Sequence, residues 1–271
     1  MTDTVTVLAT ALLVGAFAGT DAAIWGMYKD AAHEGFDWPR FARSIVIGAC
    51  AALLIQFVVR LPLPSPHAIL LLFGLAYGTE RLVVETWKSF FRTENQSKYT
   101  IPMQIAVRGV VVESKTRRWL SGIAYVALIA ISIVVVQRWI GSGGARWQAG
   151  LLGAVVGFVI AVGGAWKDAP IEGFETLKFF RSPALAMIMA LLLYSLGVGA
   201  LLAALAAIGY ERAISENYKT FGFPDRPRGK FAGKAIMHPE MLVRRRHFVP
   251  AYVGIRVALA SCTVLAITNP R

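Results

Sequence analysis

Residues 29–44 read KDAAHEGFDWPRFARS, and residues 167–182 read KDAPIEGFETLKFFRS. Nine of the sixteen aligned positions are identical, and the sign of the charge is kept at two further positions. Each copy directly follows a long apolar run, and the two copies lie 138 residues apart. Self-similarity over such a distance is typical of an internally duplicated chain, so the repeat predicts the architecture before any single residue is interpreted.

The apolar runs beside these stretches are too long for a soluble core. Of the 271 residues, 56% are hydrophobic and only 16% are charged, and about 20 successive apolar residues cross a bilayer as a helix. In hydrocarbon a helix satisfies its own backbone hydrogen bonds, so we predict an all-α polytopic membrane protein with about eight spans. Six or seven spans remain possible, with 175–219 forming one broken or re-entrant element. The predicted spans are 5–27, 42–61, 67–88, 119–140, 147–165, 175–196, 199–219 and 248–267.

The net charge of +12 comes mainly from basic residues on one predicted side of the membrane. With eight spans, 23 of the 28 Lys and Arg residues fall in the four connecting segments of one side. The positive-inside rule then predicts that these segments are cytoplasmic and that both termini lie outside, as in a bacterial inner-membrane protein. The basic excess therefore indicates anionic lipid headgroups as partners, and it does not indicate nucleic acid.

A second motif extends the repeat toward the end of each unit. Residues 80–90 read ERLVVETWKSF and residues 211–221 read ERAISENYKTF. We therefore predict two four-helix units, 1–140 and 141–271. Because four spans return the chain to its starting side, the units are expected to be parallel and related by a pseudo-two-fold axis along the membrane normal.

The repeated turn carries two carboxylates spaced four residues apart in each copy. A helical segment would place both on one face, where they suit Mg²⁺, which prefers oxygen ligands and retains water or phosphate ligands. The alternative is a structural cap and turn, in which glycine reverses the chain and Pro170 favours a helix start over a helix interior. The predicted metal ligands are Asp30, Glu34, Asp168 and Glu172.

The E-R-x3-E motif places charge inside the membrane. Glu80 is about twelve residues into its span, or roughly 18 Å at about 1.5 Å per residue, and Glu211 is in the equivalent place. Ionisable groups at this depth normally face a bundle interior or a wet cavity. A catalytic cavity open to the cytoplasm and a structural ion pair that locks the two halves are both consistent with the motif. The candidate catalytic carboxylates are Glu80, Glu85, Glu211 and Glu216.

Two further intramembrane charges have no counterpart in the other unit. Asp21 lies in the inner third of the first span, and Arg256 lies about as deep in the last span. Because their depths match, we predict that they pair across the bundle.

Basic residues interleave with these carboxylates and are the candidate ligands for an anionic substrate. We expect them to bind phosphate as charge-assisted donors, although the loop that follows span seven is also interpretable as a lipid-surface patch. The candidate substrate-binding residues are Lys29, Arg43, Arg81, Lys88, Lys167, Arg181, Arg212, Lys219, Lys230 and Lys234.

Three functions fit these patterns. The first is Mg²⁺-assisted transfer or hydrolysis of a lipid- or isoprenoid-linked phosphate. The second is proton-coupled transport of a lipid or small solute, and the third is a non-catalytic membrane scaffold. The sequence has no serine-hydrolase elbow, HExxH, zinc-spaced cysteines or Walker motif, so it offers no support for those enzyme classes.

Overall fold

The chain is almost entirely helical in a computed structural model that describes residues 3–95, 103–107, 110–141, 144–222, 231 and 233–269. For residues 29, 167, 168, 170–172 and 221 only the backbone is described. The model is 81% helical, and the described part contains a single two-stranded sheet. The prediction of an all-α protein is confirmed.

In the described ranges ten α-helices follow one another, eight of them long. Their bounds are α1 Thr4–Lys29, α2 Ala31–Glu34, α3 Trp38–Val59, α4 Pro66–Thr86, α5 Lys115–Ile140, α6 Arg146–Glu172, α7 Thr176–Ser195, α8 Ala200–Phe221, α9 Glu240–Arg244 and α10 Val249–Thr268. A π-helical turn, Trp87–Phe91, extends α4, and a 3-10 turn, Arg245–Phe248, leads into α10. Strands β1 (Ala106–Val107) and β2 (Val110–Val111) form an antiparallel hairpin before α5.

Seven helices in the described residues are long and apolar enough to cross a membrane. They are α1, α3, α4 with its π turn, α5, the first part of α6, α7, and α9 together with α10. The chain is therefore a multi-pass membrane protein. The eighth predicted span coincides with α8, which has 22 residues but carries four charged side chains in its second half. These charges lower the hydropathy of α8, which is why it is not among the seven helices that are apolar enough to cross a membrane.

The predicted spans match the observed helices closely, with one difference at the second repeated turn. Helix α6 was expected to end near residue 165, yet it continues to Glu172 and carries position 170 in its last turn. A proline at that point removes only one backbone hydrogen bond, and the helix ends two residues later in any case. In the first copy the helix does break at Asp30, and the short α2 follows.

Two helix pairs pack through backbone contact at glycines. A Cβ atom at Gly19 of α1 would lie 2.2 Å from the carbonyl oxygen of Ser44 on α3, and one at Gly157 of α6 would lie 2.5 Å from that of Ser182 on α7. The glycine four residues earlier in α1 and in α6 is equally close to its partner helix. Small residues at this spacing are typical of closely packed membrane helices.

Helix α8 crosses α4 at another glycine contact. A Cβ atom at Gly209 would lie 2.1 Å from the carbonyl oxygen of Gly74, and the buried Tyr210 hydroxyl donates to the carbonyl of Leu70 at 2.8 Å. Helix α8 also packs against α6 and α7, while α4 packs against α1, α3 and α10. The α4–α8 contact therefore joins the two predicted units beside their E-R-x3-E motifs.

Candidate functional site

The first motif forms a closed ion pair. Both nitrogens at one edge of the Arg81 guanidinium, Nε and Nη2, donate to the two carboxylate oxygens of Glu80, with Nη2 at 2.7 Å from Oε1. Glu80 is fully buried and Arg81 nearly so, and the guanidinium lies 5.2 Å from the centroid of the Trp25 ring. A bidentate pair of this kind is strong and fixed in direction, so Glu80 is held firmly at the bundle interior.

Further arginines gather around this pair. Arg43, in the second turn of α3, interacts electrostatically with Glu80, Arg81, Arg40 and Arg92. Arg92 follows the π turn at the end of α4 and is buried. The start of α3 and the end of α4 therefore bring several guanidinium groups to one end of the bundle, close to Glu80.

In the second motif the equivalent Glu and Arg residues have different hydrogen-bond partners. Glu211 is fully buried and accepts hydrogen bonds from the hydroxyls of Ser182 at 2.6 Å and Ser215 at 2.8 Å, both at Oε1. Its Oε2 is buried and has no hydrogen-bond partner in the part of the chain that the structure describes. The neighbouring Arg212 donates instead to Glu216, one turn later, at 3.3 Å.

The second carboxylates of the motifs end up in local pairs. Glu216 is buried and also accepts from Lys219 at 3.2 Å, whereas the half-exposed Glu85 accepts from Lys88 at 3.4 Å. Both lysines lie three residues after their carboxylate, which is the normal spacing of neighbours on a helix. These pairs lie in the polar second halves of α4, extended by its π turn, and α8.

The predicted Asp21–Arg256 pair is present. Arg256 Nη2 lies 2.9 Å from Oδ1 and 2.8 Å from Oδ2 of Asp21, and it also donates to the Tyr252 hydroxyl at 2.9 Å. The pair joins α1 to α10. The fully buried Tyr77 of α4 interacts electrostatically with Asp21, so this pair is close to the α4 motif.

The same tyrosine shows which of the candidate carboxylates converge. Besides Asp21, Tyr77 interacts electrostatically with Glu80, Arg81 and Glu216, so charges from α1, α4 and α8 surround one buried ring. The Tyr77 hydroxyl has no hydrogen-bond partner among the described residues. Two predicted groups of candidate residues, the intramembrane carboxylates and their arginines, are thus brought together.

The predicted metal ligands cannot be assembled from what is described. Asp30 precedes the single turn of α2 and Glu34 is its last residue, but the side chains of Asp168 and Glu172 lie outside the description. Within the described ranges no group of three or more His, Cys, Asp or Glu side chains is arranged to hold a metal ion. The four-carboxylate magnesium site stays a prediction.

The remaining candidate basic residues are dispersed. The Arg181 guanidinium lies 6.0 Å from the centroid of the Tyr218 ring, and Lys234 is exposed in the loop that precedes α9. Lys230 and the side chains of Lys29 and Lys167 lie outside the described residues. Their assignment to an anionic substrate stays a prediction.

The structure also shows contacts that the sequence patterns did not indicate. The loop before α9 folds over the first repeated turn, since the amides of Met237 and His238 both donate to the carbonyl of Ala32. His33 Nδ1 lies 2.8 Å from the carbonyl oxygen of Ala235, and its ring stacks on Phe231 at 4.3 Å. The polar residues of this loop gave no periodic signal from which such docking could have been predicted.

A related contact occurs in the other half. The indole Nε1 of Trp166 donates to the carbonyl of Ala106 in β1 at 2.8 Å. Trp166 precedes the second repeated turn, and the hairpin belongs to the first unit. The connecting segment of each predicted unit therefore touches the region of the repeated turn in the other unit.

No protein-family model, curated protein or solved structure matches this chain.

Proposed function

We propose that this membrane protein binds the phosphate of a lipid- or isoprenoid-linked substrate at its cytoplasmic side and acts on it as a transferase or hydrolase. The observation that carries the proposal is the group formed by Arg43, Arg81 and Arg92 at one end of the bundle, in which the Arg43 Nε is buried without an acceptor among the described residues. A buried guanidinium nitrogen without an acceptor is costly unless an anion joins it.

Arginine suits this task because its planar guanidinium binds phosphate oxygens in pairs. Arg81 is occupied by Glu80, so the proposed phosphate ligand is Arg43. The Arg43 Nε is a buried donor for which the described residues provide no acceptor. A phosphate at this position would lie at the inner boundary of the bundle, where the headgroup of a membrane lipid also lies.

The proposed reaction assigns different roles to the carboxylates. Glu80 keeps Arg81 in place, whereas Asp30 and Glu34 would hold Mg²⁺, which commonly takes one or two protein carboxylates and completes its shell with phosphate and water. Bound in this way, Mg²⁺ would neutralise charge on the phosphate during transfer. The two carboxylates of α2 fit this limited role.

The proposed architecture is an eight-span duplication with both termini outside and its basic loops in the cytoplasm. The support is a set of contacts repeated at the 138-residue offset of the opening motif. Gly19 meets Ser44 and Gly157 meets Ser182 in the same way, and the members of each equivalent pair differ by 138 in number. Helix α8 has the length of a span, and its packing against α4, α6 and α7 shields its polar half.

The test is lipid retention and turnover by the purified full chain. Native mass spectrometry with phosphatidate or farnesyl phosphate should show binding that Arg43→Gln weakens at least tenfold. Arg40→Gln is the matched control, because Arg40 lies three residues away and is 41% exposed in a surface pair with Asp37. Released phosphate or a transferred product, dependent on Mg²⁺, would support the enzyme.

Two results would refute the proposal. Equal binding of phosphatidate and a neutral diacylglycerol would show that the arginines do not recognise phosphate. Movement of the intact lipid across reconstituted vesicles, with no chemical change, would replace the enzyme with a transporter.

A further inference from the structure

We propose that Glu211, Ser182 and Ser215 form a binding site for one Na⁺ ion in the second half of the protein. The three side chains come from two helices, α7 and α8, and all three are buried. Both hydroxyl oxygens lie within 2.8 Å of Glu211 Oε1, so three oxygen-bearing groups converge inside the bundle. The proposal is independent of the phosphate site, which involves α3 and α4.

The buried Oε2 oxygen of Glu211 is the main reason to expect a cation. This oxygen has no hydrogen-bond partner in the described part of the chain, and the two hydrogen bonds of Oε1 come from neutral hydroxyls. Arg212, the adjacent residue, donates its hydrogen bond to Glu216, and its charge acts on both carboxylates. A buried carboxylate oxygen without a hydrogen-bond partner is unfavourable, and in the first half both oxygens of the equivalent carboxylate, Glu80, accept from Arg81.

The chemistry of the ligands selects the type of ion. Carboxylate and hydroxyl oxygens are hard ligands, which favour hard cations over transition metals. With one carboxylate among its ligands, the site offers the ion a single negative charge, so a divalent ion would leave more positive charge buried than a monovalent ion. This balance favours Na⁺ over Mg²⁺ or Ca²⁺.

Helix α7 contributes a further oxygen close to this site. Pro183 lies inside α7, directly after Ser182, and a proline removes the backbone donor for the carbonyl four residues earlier, here that of Phe179. A carbonyl without its helical donor in the membrane requires another partner. The proline therefore provides a second, independent reason for a cation near Ser182.

The first half lacks the equivalents of Pro183 and Ser215. Position 45 is Ile where the second half has Pro183, and position 84 is Val where it has Ser215. We therefore expect one Na⁺ per chain, bound in the second half only.

The experiment compares the thermal unfolding of the detergent-purified full chain in NaCl and in N-methyl-D-glucamine chloride, at constant ionic strength and pH. Binding to the folded state raises the folding equilibrium constant about 100-fold when Na⁺ exceeds its dissociation constant 100-fold, so Tm should rise with the logarithm of the Na⁺ concentration. Glu211→Gln should abolish the rise. Ser215→Val, which introduces the residue found at the equivalent position 84, should weaken Na⁺ binding at least tenfold.

Ser44→Ala is the matched control. Ser44 is the buried counterpart of Ser182 in the first half, and its removal should leave the Na⁺ dependence unchanged. Radioactive ²²Na⁺ bound to the wild type should be displaced by unlabelled Na⁺ with a stoichiometry near one. If Glu211→Gln does not fold, the Ser215→Val and Ser182→Ala variants decide, because both keep the carboxylate.

Three outcomes would overturn the proposal. The first is a wild-type Tm that does not respond to Na⁺. The second is a response that survives in Glu211→Gln or is unchanged in both serine variants. The third is stabilisation by protons alone, with no Na⁺ dependence at any pH, which would make Glu211 a proton site instead.

Discussion

The pair between Asp21 and Arg256 provides the sharpest test of the packing between α1 and α10. Asp21 is fully buried, and a single guanidinium nitrogen of Arg256 donates to both of its carboxylate oxygens and to Tyr252. Asp21→Asn removes the negative charge but keeps the shape of the side chain. The positive charge of Arg256 then remains in the bundle without its counter-ion.

The magnitude follows from burial. Removing one partner of a fully buried pair costs about 3–5 kcal/mol, and the Arg256 side chain is 26% exposed, so we expect the low end of this range, about 3 kcal/mol, for Asp21→Asn. Arg256→Gln should cost a similar amount, because it leaves a carboxylate buried. The double variant should lose less than the sum of the two, with a coupling energy of about 2 kcal/mol.

Unfolding in mixed micelles, titrated with SDS, measures these free energies for the four variants of the cycle. The control pair is Asp37 and Arg40, which lie 3.2 Å apart with both side chains 41% exposed, and its coupling should stay below about 1 kcal/mol. If the Asp21→Asn/Arg256→Gln double variant loses the sum of the single losses, the pair contributes no coupling and this reasoning is wrong.

Three further changes test the helix contacts. Gly157→Val should destabilise the fold by about 3 kcal/mol through overpacking, whereas Gly163→Val, where a Cβ atom meets nothing within 4 Å, should leave Tm unchanged; equal losses would contradict the close α6–α7 contact. Tyr210→Phe should cost about 1 kcal/mol by removing the hydrogen bond from α8 to the Leu70 carbonyl of α4, and an unchanged unfolding midpoint would refute that bond. Trp166→Phe should leave Tm nearly unchanged but speed proteolysis of the β1–β2 hairpin, and an unaltered cleavage rate would show that the indole does not hold it.

Much of the fold could be predicted from the apolar runs, because helices in lipid must satisfy their own backbone and so follow composition closely. The boundaries of α1, α4 and α7 agree with the predicted spans to within a few residues. Whether α8 spans the membrane could not be predicted from composition, because four charged residues lower its hydropathy: Glu211, Arg212, Glu216 and Lys219. The insertion of such a helix also depends on the helices that pack against it.

The candidate site was predictable only in part. Matching depth in the membrane was enough to predict that Asp21 pairs with Arg256, because few other charges lay at that level. The E-R-x3-E motif was less informative, since its arginine can reach the carboxylate before it or the one four residues later. The pairing differs between the two copies, since Arg81 pairs with Glu80 and Arg212 pairs with Glu216. Tertiary packing decides between the two pairings, and the local sequence does not encode it.

In the eight-span arrangement proposed above, the polar half of α8 also constrains how the protein is made. Each Arg, Lys or Asp at the centre of a lone inserting helix costs about 2.5–3.5 kcal/mol, so α8 is poorly suited to partition into lipid by itself. Its charges become tolerable only beside α4 and α7, and α4 is synthesised more than a hundred residues earlier. The first half must therefore be in the membrane before α8 inserts. A chain translated from residue 141 alone would lack α4 as the packing partner of α8.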